Sequence, residues 1–209
     1  MDTTEDVCLI KFVAKKEYAV DLLKGHFYTN TSRFYHKHFV SKDYTQGDIL
    51  EGNLARDVCG YTNLDLRIFS MCYIGQSSLK GAKTIIDQNI KRMIEGFNAN
   101  YAVVIEAQTF YKMIAEDPFS VSVNGHKVVY RNIRLDEVPD IFNSKDGLRN
   151  TSNLFYKPPV YAYQREYRLV FGYEDRMALG KMFSLKDGYK LNAYMVDLEE
   201  NKEYIEFHF

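Results

Sequence analysis

The stretch 161–171, Tyr-Ala-Tyr-Gln-Arg-Glu-Tyr-Arg-Leu-Val-Phe, most narrows what this chain can fold into. Tyr167 and the four residues after it carry the aromatic and branched side chains of a buried strand. Gln164, Arg165 and Glu166 stand at the entrance of that strand. A strand is rigid, so a carboxylate on its lip is where a site would hold charge against a ligand. Residues two apart in extended chain share a face, which predicts that Gln164 and Glu166 project together. The same spacing joins Glu166 to Arg168, and these two also read as a charge pair on a solvated face.

The rest of the chain supplies more strands than helices. Residues 7–13 (VCLIKFV) read as a strand interrupted by Lys11, which is either an edge guard or a cation facing a cleft. Residues 15–24 have one apolar helical face and stop at Gly25. Residues 26–31 form a second strand, expected beside the first because sequential strands often neighbour. A helical turn over 32–35, capped by Thr31 or Ser32, follows. A strand at 66–74, a flexible connection at 75–83, a helix at 87–97, a strand at 101–106 and a helix at 108–116 come next. Asn124-Gly125, between alternating runs at 119–123 and 126–134, predicts a hairpin with a type I′ turn. A long loop at 139–154 precedes Lys157-Pro158-Pro159. A helical or irregular piece near 174–181 and strands at 190–196 and 203–209 complete the chain. Regular βαβ alternation is missing. The expectation is one α+β domain over 1–209, with a flexible tail at 1–5, a split or bent, mostly antiparallel sheet and short helices.

Composition enters mainly through charge and aromatics. The formal net charge of -1 sets up no global field towards nucleic acid or an anionic membrane. The 17 Tyr and 14 Phe suit a β-sheet, and equally clefts or stacking surfaces. Cys8, Cys59 and Cys72 read as reduced, partly buried thiols. The first six residues are polar and acidic with no signal-peptide pattern, and no apolar run approaches a membrane span. A cytoplasmic protein without membrane partners is expected.

The familiar phosphate, zinc-protease, redox and nucleophile-elbow motifs do not occur. His36 and His38 lack a carboxylate or thiol partner nearby, so no metal is expected. The Gly47-Asp48-Ile49-Leu50-Glu51-Gly52 loop is a turn and helix start, or a wall beside a ligand. What remains is Lys11, the segment 28–31 and the late Gln164-Arg165-Glu166.

That order resembles the ADP-ribosyltransferase superfamily: a polar residue on the first strand, an aromatic and Ser/Thr element on the second, and a late Gln-x-Glu. Phe27-Tyr28-Thr29-Asn30-Thr31 and Gln164-Arg165-Glu166 carry the likeness. It extends to nucleic-acid-modifying toxins of bacterial phage-defence and toxin–antitoxin systems. The resemblance implies a glycosyltransferase that uses NAD as co-substrate and modifies a macromolecule, DNA or RNA, with an antitoxin or other protein as a further partner. Glu166 would stabilise the cationic ribose and Gln164 would orient the nucleophile. Tyr28 would stack on nicotinamide, Thr29 and Thr31 would shape the pocket, and Lys11 or Arg33 would bind diphosphate. Asp48, Glu51 and Arg165 would lie on the substrate side. Lys11 stands where that superfamily has Arg or His. The alternative is a binding or interaction module without catalysis, presenting a Tyr-rich surface.

Overall fold

The computed structural model describes residues 6–31, 66–131, 152–172 and 180–209. The turn at 32–35, the His36/His38 pair, Arg33, the 47–52 loop with Asp48 and Glu51, Cys59 and most of 139–154 lie outside them. The described residues form an α+β fold with almost entirely antiparallel pairing and three short α-helices.

Strand β1 (Asp6–Val13) leads to helix α1 (Lys16–Leu23) and strand β2 (His26–Thr31). Gly25, at φ 83°, turns the chain between helix and strand in the left-handed region where a side chain is strained. Strand β3 (Arg67–Gly75) follows, then a 3-10 turn (Gln76–Ser78) and the small strands β4 (Leu79–Lys80) and β5 (Lys83–Ile85). Residues 75–83, expected to be a plain flexible connection, are therefore ordered by local pairing. Asp87 caps helix α2 (Gln88–Gly96) by accepting from the Asn89 and Ile90 N–H groups, both at 2.9 Å. Strand β6 (Tyr101–Glu106) ends in Glu106, which caps helix α3 (Ala107–Ala115) in the same way. Strands β7 (Val123–Lys127), β8 (Val129–Tyr130), β9 (Tyr156–Lys157), β10 (Glu166–Phe171), β11 (Gly180–Ser184), β12 (Ala193–Asp197) and β13 (Tyr204–Glu206) complete the set.

The main sheet runs β11-β2-β3-β1-β6-β12, with β10 on β3 and β7 on β10. Strand β10 pairs along β3 from Arg67 to Cys72. Only one edge of β3 is left, and both early strands use it: β1 reaches as far as Cys72, while β2 takes Ile68 and Arg67. The first two strands thus do not pair with each other as expected. They part on a shared neighbour, and the sheet splits there.

Two faces are covered. Leu9, Phe27, Phe69, Met71, Val103, Tyr167, Leu169 and Phe171 pack under α1 and α3. On the other face, Cys8, Ile10, Cys72 and Val104 meet α2 and the end of the chain. Farther along that face Ile68 and Val170 lie under Leu154 and Phe155. This alternation, with a separate apolar cluster for each parity, is why the strands form where they do.

The Asn124-Gly125 hairpin does not form. Both residues lie inside β7, paired with Val170 and Leu169 of β10. The glycine serves a close approach: a Cβ at Gly125 would sit 2.4 Å from the Tyr167 hydroxyl and 3.1 Å from Leu169 Cδ2. Gly125→Ala therefore costs about 1–3 kcal/mol of stability by overpacking, read from urea unfolding. A variant as stable as the parent would show that the tyrosine moves aside freely.

Candidate functional site

The chain approaches Glu166 through a folded-back segment. A 3-10 turn (Ser152–Phe155) leads into β9, which pairs in parallel with β8. Pro158 and Pro159 then start a 3-10 helix (Pro159–Gln164), since proline supplies the right φ and lacks only an N–H that has no partner there. Arg165 ends it at φ 45°, ψ 53°, a left-handed step that redirects the chain into β10. Gln164 is thus helical, not extended, and the expected two-residue strand spacing to Glu166 does not apply.

The two side chains nevertheless converge through Lys157. Its ammonium donates to Gln164 Oε1 at 2.9 Å and to Glu166 Oε1 at 3.0 Å. Arg168 Nε donates to the other Glu166 oxygen at 2.6 Å, and its guanidinium also reaches the Leu154 carbonyl. Lys157, Glu166 and Arg168 are 6%, 8% and 1% exposed. The Glu166–Arg168 pair is therefore a buried, charge-assisted contact, not a pair on a solvated face. The Glu166 N–H donates to the Tyr130 hydroxyl at 2.8 Å. Burial alone would raise the Glu166 pKa. The charges of Arg168 and then Lys157 outweigh it and bring the carboxyl from 4.5 down to about 2. Burial, and then the Glu166 charge, push the Tyr130 phenol up, so it stays protonated.

Lys11 fills the split. The Tyr73 N–H donates to the Arg165 carbonyl on the β10 side, so Ser70, three residues away, turns its carbonyl to the opposite edge. There β1 has left and β2 has not yet arrived. Lys11 Nζ donates to that carbonyl at 2.8 Å and lies 4.5 Å from the Phe69 ring centroid. An interior strand needs no edge guard, which removes that reading of Lys11. Burial brings its pKa from 10.5 to about 8, with the Glu166 charge opposing the fall.

The remaining predicted residues divide between the faces. Thr29 and Thr31 are buried on the Phe27 face, where Thr29 Oγ1 donates to the Lys181 carbonyl. Lys11 shares the parity of Leu9 on that face. Tyr28 alternates to the other face, the one that carries Glu166, and is 57% exposed. Its phenol lies across Gly180, where a Cβ would meet the hydroxyl at 2.0 Å. Arg165 leaves the cluster, donating to Ser78 Oγ at 3.2 Å and approaching Asp87 at 3.9 Å.

Sequence reasoning missed Tyr130, for which no signal existed, and a second buried ion cluster. Asp6 receives Lys127 Nζ at 2.9 Å and the Tyr111 hydroxyl at 2.7 Å. Cys8 and Cys72 are buried thiols, and burial pushes Cys72 up to about 12. A separate open cavity of about 440 Å³ is lined by residues that include Tyr101, Tyr194, Glu200 and His208. Among the described residues no group of His, Cys, Asp and Glu is placed to hold a metal, and no helix is long and apolar enough to cross a membrane. No family model, curated protein or solved structure matches the chain.

The ion cluster makes a stability prediction. Glu166→Gln leaves Lys157 and Arg168 buried without their counter-charge, at a cost of about 3–5 kcal/mol at neutral pH. The folded pKa, near 2, lies below the ordinary value of 4.5. The stabilisation is therefore complete above about pH 5 and is lost as pH falls towards 2. The gap between parent and variant in urea unfolding should close over that window. A gap that stays constant down to pH 2.5 would place its origin elsewhere.

Proposed function

We propose that this chain is an ADP-ribosyltransferase that uses NAD as co-substrate and modifies a macromolecule, in the toxin or phage-defence setting its motifs resemble. The observation that carries the reading is Glu166: a carboxylate ionised to about pH 2, fixed at a strand entrance, with Gln164 tied to it through Lys157. A negative charge held in place before reaction is what a cationic, oxocarbenium-like transition state needs. A carboxylate offers about four lone-pair sites. Lys157 and Arg168 take one on each oxygen, which leaves capacity for a ribose hydroxyl. Tyr28 supports the reading with an exposed ring on the same face. Lys11 lies on the other face and bonds to Ser70, so in this reading it straps the split and does not anchor diphosphate.

In the transfer, the bond between ribose C1′ and the pyridinium nitrogen breaks, and its electron pair leaves with neutral nicotinamide. A lone pair of the acceptor forms the new bond to C1′, and the acceptor's proton passes to solvent. No oxidant or reductant is consumed.

One observation favours the second reading, a binding module without catalysis. Both Glu166 oxygens already have partners, and the cluster suffices to pin the folded-back segment to the sheet. Nicotinamide release from NAD separates the two. Glu166→Gln is a poor probe because it unpairs two buried cations. Glu166→Asp keeps the charge and retracts the carboxylate by roughly one bond, and a misplacement of about 1 Å costs on the order of 10²-fold. The expected result is a kcat about 10²-fold lower, with KM changed far less, in a variant that circular dichroism shows to be folded. Unchanged turnover in that variant removes Glu166 from the chemistry. A parent protein that releases no nicotinamide, with nucleic acid or protein lysate supplied, leaves the binding module.

A further inference from the structure

Strand β12 ends the main sheet, and its outer edge is open. In an antiparallel pair, alternate residues turn their backbone groups towards the neighbour. The Leu198 N–H donates to the Asn100 carbonyl and the Glu106 N–H to the Asn192 carbonyl, both at 2.9 Å. Even-numbered residues of β12 therefore bond to β6, and Ala193, Met195 and Asp197 direct their N–H and C=O groups away from it. Among the described residues no strand lies on that side, and Ala193 and Met195 have no backbone partner there. Asp197 keeps its N–H for the edge, while its carbonyl accepts from the Asn201 N–H at 3.2 Å and side chain at 2.8 Å. Three donors and two acceptors thus stand along five residues. Charge and proline ordinarily keep a free edge from pairing, and Ala193–Val196 contains neither.

The cavity of about 440 Å³ follows this edge and wraps around it. Lys16, Tyr101 and Asp197 bound it on the α1 side, and Tyr194, Glu206 and His208 on the other. The second wall is fixed: the Tyr194 hydroxyl donates to the Glu206 carbonyl, and the His208 ring lies 5.3 Å from that of Tyr194. A strand laid along the edge would send its side chains alternately into the two walls. Asp197 and Glu206 put a carboxylate on each wall, and Glu200 adds a third. Lys16 is the one ammonium among the lining residues, and Lys83 approaches Glu206 only at 3.7 Å. The walls therefore favour positive side chains on both faces of an incoming strand.

We propose that the free edge of β12 binds an extended peptide with basic side chains by strand addition, centred on Met195. Backbone pairing supplies the affinity, and Asp197, Glu200 and Glu206 select lysine or arginine. A second copy of this chain would bring further carboxylates to a cavity that already holds an excess of them. The site is separated from β10 by β3, β1 and β6, and it does not depend on the reading of Glu166.

The probe is a labelled peptide, Thr-Lys-Lys-Val-Arg-Lys-Thr, which carries positive charge on both faces of a strand. It is compared by fluorescence anisotropy with a counterpart bearing Glu for each Lys and Arg, and with a copy N-methylated at its three central residues. The parent should bind the basic peptide, and each of the other two about tenfold more weakly or less. Met195→Pro removes an outward N–H and leaves the β6 ladder intact, so it should weaken binding by a similar factor. Asp197→Asn with Glu200→Gln should weaken binding and flatten its dependence on salt. Circular dichroism confirms that each variant is folded. Amide hydrogen exchange in the parent reports the edge directly: the Met195 amide should exchange fast in the free protein and slowly with peptide, and the Val196 amide slowly in both. The exchange and N-methyl arms use the parent alone, so they decide the matter if Met195→Pro does not fold. Equal binding of the N-methylated or the Glu peptide, unchanged affinity in folded Met195→Pro, or a Met195 amide already slow in the free protein would each overturn the proposal. No binding at low salt would do the same. A parent that sediments as a dimer, and as a monomer after Met195→Pro, would give the edge to a second copy instead.

Discussion

Glu166 can be ionised and nearly dry only because Lys157 and Arg168 each hold one of its oxygens. Taking a charge out of water costs several kcal/mol per ion, and an excellent geometry is needed to recover it. That requirement shapes the surrounding chain. Arg168 is on the same strand and arrives without effort. Lys157 is not, so the segment before β10 has to double back across the sheet to deliver it. The two prolines, the 3-10 helix and the left-handed Arg165 are the means of that return. Leu154, which accepts from Arg168, closes the other end of the fold-back and sits in the apolar cluster with Val170.

The split of the sheet lies back to back with this cluster. Cys72 of β3 faces Glu166 on one side and Ile10 on the other. Ser70 faces Arg168 on one side and, on the other, the gap that Lys11 fills. A backbone carbonyl left unpaired in the interior costs about as much as a lost hydrogen bond. Lys11 supplies that bond and lets two strands diverge from one edge. Its own burial explains the fall in its pKa, and the nearby Glu166 charge limits it. The charged residues of this region thus resolve backbone and electrostatic conflicts that the sheet geometry creates.

Most strands and all three described helices are legible in the sequence, because period and apolar runs report burial directly. The β10 strand and the Gly25 stop are of that kind. What is not legible depends on partners distant in sequence. Asn124-Gly125 carries the local signature of a turn, but Tyr167 needs the space above that glycine and β10 needs a neighbour, so tertiary packing overrides it. Gln164 and Glu166 look like strand neighbours, and only the left-handed Arg165 shows otherwise. The role of Lys157 is hidden because a lysine before two prolines reads as a surface residue. Asp6 looks like part of a polar tail until Lys127 and Tyr111 are seen around it. Strand number and type are local properties, whereas the site is built from non-local charges.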